Sequence, residues 1–105
     1  MNFILVYTTC SSADEAKKIS KILLGQNLIA CSNIIPGVTS MFEWEGKFDS
    51  QSEFSLLLKT VQDKFDAISV LIKENHSYEK PCIIGFPINN IDEDFGKWVQ
   101  EITRK

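Results

Sequence analysis

An α+β sandwich of order βαββαβ with an added C-terminal helix is the fold class this 105-residue sequence predicts. Three observations predict it. Short β-branched and aromatic runs alternate with segments of helical period, Gly, Pro and Asn signals separate them, and the strand runs are apolar on both alternating faces. The chain fits one domain, residues 1–105, since this length supports a single core.

The first strand is expected over Asn2–Thr8. Phe3, Leu5 and Tyr7 oppose Ile4, Val6 and Thr8 across it, so both faces favour burial. Ser12 with Glu15 matches a capping box. Ala13, Ala16, Ile19, Leu23 and Leu24 then recur at helical spacing, with Lys17, Lys18 and Lys21 on the wet side. This predicts a helix over 13–24, ended by Gly25 in a left-handed conformation.

Leu28–Ile35 is a short apolar run that Pro36-Gly37 is expected to end or sharply bend. Val38–Trp44 follows, Glu45-Gly46 marks a turn, Asp49–Glu53 reads as a polar joint, and Phe54–Lys59 as a compact strand. The middle of the chain is therefore an extended hairpin system. Thr60 with Asp63 offers a second helix start, with Val61, Phe65, Ile68, Leu71 and Ile72 as its buried stripe. The polar stretch Asn75–Pro81 separates that helix from a strand over 82–88. Asp92, Glu93 and Asp94 suit the positive end of a last helix, which carries Phe95, Trp98, Val99 and Ile102 down one side. Strand, helix, strand, strand, helix, strand is the ferredoxin-like order.

That order puts both main helices on one face of the sheet. The other face should then alternate apolar with polar, yet it does not. A three-turn terminal helix covers only part of a four-stranded sheet, so packing against another subunit is the expected cover.

Composition narrows the function. Fourteen acidic residues face eleven basic ones, with no basic block, so nucleic acid is a poor partner. The apolar start is too short for a membrane span and lacks a basic leader, and the expected location is cytoplasmic. Cys10, Cys31 and Cys82 are widely spaced with no C-x-x-C pair, which argues against a disulfide scaffold, a zinc finger or an iron–sulfur site. No glycine-rich phosphate cradle or H-E-x-x-H occurs, and the sole arginine is Arg104, so no enzyme is expected.

Leu28-Ile29-Ala30-Cys31-Ser32-Asn33-Ile34-Ile35-Pro36-Gly37-Val38 resembles the CutA divalent-cation tolerance family. The likeness continues through Phe42-Glu43-Trp44-Glu45-Gly46-Lys47, Leu56-Leu57-Leu58-Lys59-Thr60, His76-Ser77-Tyr78-Glu79-Lys80-Pro81 and Ile83-Ile84-Gly85-Phe86-Pro87-Ile88, and ends with the Trp98 helix. The resemblance implies a cytosolic homotrimer, similar in architecture to the nitrogen-regulatory signalling proteins called PII. It also implies a link to tolerance of copper and other divalent cations. Ser77 stands where that family usually has proline, and Cys82 where it more often has an acid or amide.

With that resemblance in view, Cys31, His76, Glu79 and Cys82 are the expected metal ligands, with copper or another divalent cation as the bound ion. Thiolate and imidazole suit copper or zinc, and His76 with Glu79 sets a nitrogen and an oxygen three residues apart. Each has a plainer reading beside it. Cys31 also suits core packing, His76 and Glu79 also suit a mutual hydrogen bond, and Cys82 opens a strand without any further requirement. Cys10, just before the first helix, is a further thiol whose ionised form a helix dipole would favour. Tyr7, Tyr78, Phe42, Trp44 and Trp98 are candidates for an intersubunit cleft. The competing function is a signalling or structural trimer that takes a small ligand or a protein partner.

Overall fold

A computed structural model describes residues 2–105; Met1 lies outside the described residues. The elements are β1 Phe3–Cys10, α1 Ala13–Gly25, β2 Cys31–Trp44, β3 Lys47–Val61, a single 3₁₀ turn Gln62–Lys64, α2 Phe65–Asn75, β4 Ile83–Ile88 and α3 Glu93–Arg104. They form one antiparallel sheet in the order β2-β3-β1-β4, as the element pattern predicts.

Register explains the layers. Ile4, Val6, Leu56 and Leu58 project to one face and are fully or almost fully buried beneath Ala16, Ile19 and Leu23 of α1 and Ile68 and Ile72 of α2. These apolar side chains leave water together, which is the main favourable term holding helices to sheet. Gly85 sits on the same face because a Cβ there would lie 2.6 Å from Ile4 Cδ1 and 3.1 Å from Phe65 Cε1.

The opposite face is covered at one end only. Val99 of α3 packs with Ala30 and Val61, joined by Phe3 and Ile102. Beyond it, Leu5 lies in register between Phe86 and Lys59, and Tyr7 between Ile84 and Leu57. Ile84 and Phe86 remain 45% and 49% exposed. An open, apolar face is therefore present, as the two-sided strands predict.

Several local expectations are corrected. Pro36-Gly37 does not end a strand: β2 runs through it, and the irregularity is a shift of register between Ile35 and Val38, with Gly37 at φ 75°. Asp49–Glu53 is not a joint but part of a continuous β3, paired residue for residue with Val38–Phe42. The two strands form a long arm turned at Glu45-Gly46, both at positive φ, which stretches the molecule to 45 × 26 × 22 Å. Its tip exposes Trp44 and Phe48, at 65% and 89%.

Helix ends also differ. Gly25 is the last residue of α1, and the left-handed position is Asn27 at φ 55°. Thr60 caps no helix, because β3 continues to Val61 and the Thr60 hydroxyl donates to the Leu28 carbonyl at 2.6 Å. Ser12 accepts the Glu15 amide at 3.1 Å, as expected. In α3 Asp92 is the N-cap, its carboxylate accepting the Phe95 amide at 3.0 Å. The buried line of α3 is Gly96, Val99 and Thr103, while Phe95 and Trp98 stack on each other at 5.7 Å on the outside.

Candidate metal site

At the C-terminal end of β1 the chain gathers three potential ligands of different chemistry. Cys10 ends the strand, Glu15 lies in the first turn of α1, and His76 directly follows α2. One ligand atom from each falls within 4.8 Å of the others, the group of this kind found among the described residues. The sheet and both helices thus converge here, which fixes the three side chains on rigid elements.

His76 is held from both ring nitrogens. Nε2 lies 2.7 Å from the Thr9 carbonyl, which only accepts, so Nε2 carries the proton and donates. Nδ1 then accepts the Tyr78 amide at 3.0 Å. These partners select one neutral tautomer. The His76 side chain is fully enclosed, and the Tyr78 ring lies 4.9 Å away, tilted against it.

Glu15 ties the loop to α1. The capping-box sequence predicts a reach back to the start of the helix; the carboxylate instead goes one residue further, accepting the Ser11 amide at Oε1 and the Ser77 amide at Oε2, at 3.1 and 2.7 Å. Oε1 also lies 3.9 Å from His76 Nε2. Burial pushes the Glu15 pKa up, but the hydrogen bonds from Ser11 and Ser77 outweigh it and hold the acid below its ordinary value.

Cys10 departs from expectation. The idea of a thiolate favoured by the helix start fails because the residue is fully buried. Burial first, then the negative charges of Glu15 and Glu53, push its pKa up to about 12. It is a protonated thiol at neutral pH.

The remaining candidates lie elsewhere. Cys31 pairs with Lys59 on β3 and by strand alternation faces the open side of the sheet, opposite to Cys10. Glu79 is exposed and outside the three-residue group, so His76 meets Glu15 where Glu79 was expected. Cys82 is half-buried beside Glu53; burial and then that charge raise its pKa. The loop between α2 and β4 continues to Tyr78, whose hydroxyl lies 2.8 Å from Gln51 Oε1 and 2.9 Å from Glu53 Oε2. Burial and Glu53 push the Tyr78 pKa up to about 12. Sequence reasoning missed Glu15 as a partner of His76. Its one local signal was the capping-box position, which accounted for it fully without a second role.

Comparison with known proteins agrees with this architecture. The family model described as CutA1 divalent ion tolerance protein matches residues 4–102. The divalent-cation tolerance protein CutA of Archaeoglobus fulgidus is 42% identical over 100 residues, covering 95% of each chain. The chloroplastic protein CutA of Arabidopsis thaliana is 36% identical over 101 residues; the match covers 96% of this chain and 56% of that protein's length. Among solved structures, CutA1 from Oryza sativa superposes with a TM-score of 0.97 at 32% identity, covering all of this chain and 96% of the other. A structure titled the periplasmic divalent cation tolerance protein CutA from Archaeoglobus fulgidus gives 0.94 at 39% identity, covering 96% of this chain and 98% of that one. The family match over residues 4–102, the identity to curated relatives and the structural superposition agree, and the chain belongs to the CutA divalent-cation tolerance family.

Proposed function

We propose that this chain binds divalent cations, copper among them, and serves metal tolerance as a homotrimer without catalysing a reaction. The observation that supports metal binding most is the convergence of Cys10, Glu15 and His76. Sulfur, imidazole nitrogen and carboxylate oxygen are a donor set suited to copper and zinc. The residues fit such an ion by type, at a cost: His76 would give up one of its two hydrogen bonds, and the Cys10 thiol would lose its proton. Binding would therefore release protons and weaken as pH falls.

His76 is common to this group and to the ligands expected from sequence, so we assign it the central role. Cys31, Glu79 and Cys82 stand as ligands supplied across subunits, where their separation within one chain is no obstacle. Assembly is supported by the open face around Leu5, Tyr7, Ile84 and Phe86, which exceeds what α3 covers. Three free cysteines favour a reducing compartment, hence the cytosol.

The test is metal retained after gel filtration of reduced protein loaded with Cu(I) or Zn(II). We expect a fixed ratio of metal to protomer that falls for His76→Ala and for Cys10→Ser. Retention unchanged in both variants would refute the site. The second reading, a signalling or structural trimer with a small ligand or protein partner, is favoured by the saturated hydrogen bonding of His76 and Glu15, which serves a purely structural latch equally well. It predicts a trimer with no preferred metal count.

A further inference from the structure

We infer that Glu53 and Lys59 form an ion pair between copies of this chain, the Glu53 carboxylate of one protomer receiving the Lys59 ammonium of a neighbour. The inference rests on the assembly proposed above and adds the contact that sets its register. Strand alternation places Gln51, Glu53, Ser55, Leu57 and Lys59 of β3 on one face. The Tyr7 hydroxyl meets Ser55 Oγ at 2.8 Å on that face, and Tyr78 meets Gln51 and Glu53.

Both charges are out of place in a lone chain. Glu53 is only 5% exposed, and among the described residues no cation pairs with it; the Tyr78 hydroxyl is its contact. Lys59 is half-buried in register between Leu5 and Cys31, and among the described residues no acid pairs with it. A charge withdrawn from water without a counter-charge is costly. Six residues of strand separate the two, about 20 Å at roughly 3.3 Å per residue. That exceeds the reach of one lysine, so they do not pair within a chain.

Charge complementarity selects the occupant. The face is apolar across Leu5, Leu57, Ile84 and Phe86, with the buried Glu53 near one end and the half-buried Lys59 toward the other; Asp49 and Lys47 follow on the same face of β3, solvent-exposed and further out along the arm. A small cation would satisfy Glu53 but leave Lys59 and the apolar area uncovered. A second copy, laid head to tail, brings a lysine to each glutamate and covers the apolar surface at once. Such heterologous contacts close into rings, a trimer among them.

Charge reversal tests this, using sedimentation of the full chain. Wild type should sediment as a trimer. Glu53→Lys and Lys59→Glu should each raise the dissociation constant at least about tenfold, and the double exchange should return it to within about threefold of wild type. Single variants that assemble like wild type, or a double exchange as weak as the two effects added, would overturn the pairing while leaving the trimer intact. A monomeric wild type would overturn the assembly itself. If a reversal does not fold, the neutral cycle Glu53→Gln with Lys59→Met replaces it: coupling between the two supports the pair, and simple additivity refutes it.

Discussion

Glu15→Gln is the substitution that most sharply separates the electrostatic role of this residue from its shape. Glutamine keeps the length of the side chain and one acceptor oxygen, but turns the other oxygen into an NH₂ donor. In the native site the two carboxylate oxygens accept amides from Ser11 and Ser77 at 3.1 and 2.7 Å, so one of these donors must lose its partner. A hydrogen bond to a charged group contributes about 1.5–3 kcal/mol when buried. Glu15 is 12% exposed, which reduces this through solvent screening, and we expect a loss of about 1–2 kcal/mol. For a chain of this size that lowers Tm by roughly 4–16 °C. The pH dependence is the sharper test. The Glu15 pKa is lower in the folded state than in the unfolded state, so its contribution is complete above the unfolded value of about 4.3 and is lost as pH falls through the folded one. Urea unfolding at fixed protomer concentration, from pH 7 down to pH 3, should show wild type and variant converging. Equal stability at pH 7, or a gap that persists unchanged at low pH, would refute the charged latch.

Three further outcomes follow from buried groups. The Thr8 hydroxyl is fully buried and has no hydrogen-bond partner among the described residues, so Thr8→Val should stabilise the chain by about 1 kcal/mol in urea unfolding. The Cys10 thiol keeps its proton in the fold up to about pH 12 but ionises near 8.5 when unfolded; stability should therefore decline from about pH 8.5 upward, and Cys10→Ser should flatten that decline in alkaline melts. Gly85→Ala forces a Cβ to 2.6 Å from Ile4 Cδ1 and 3.1 Å from Phe65 Cε1, and the overpacking should cost about 1–3 kcal/mol, read from the urea midpoint.

The parts of the fold legible in sequence are those whose cause is local. Ser12 and Asp92 cap helices because each oxygen lies within one turn of the amide it serves. The two-sided apolar pattern of β1 and β4 announced an open face, since period two fixes which residues share a side. The long arm was not legible for the opposite reason. Asp49, Ser50, Gln51 and Ser52 are polar and exposed, so no buried face imprints an alternation; their pairing with Thr39–Phe42 comes from the partner strand. Pro36-Gly37 marks an irregularity, as its sequence suggests, but does not end the strand, because a register shift between Ile35 and Val38 absorbs it inside β2. Thr60 misled because its hydroxyl is spent on the Leu28 carbonyl.

The candidate site follows the same division. His76 stands out as the single histidine in a polar loop. Its neighbours are 61 and 66 residues away along the chain, and only the folding of α1 and α2 onto one sheet face brings Cys10 and Glu15 to it. The Cys10 reading failed because proximity to a helix start predicts a low pKa only for a solvated thiol; full burial beside Glu15 and Glu53 reverses the sign.

Native mass spectrometry of the reduced chain, titrated with Zn(II) and in a separate series with Cu(I), is the decisive measurement, because one spectrum reports assembly and metal count together. The expected result is a trimer that holds the same whole number of ions on every protomer, and a trimer of His76→Ala that holds fewer. A trimer with no bound ions, or with a continuous spread and no preferred number, would contradict metal binding as the function of this site.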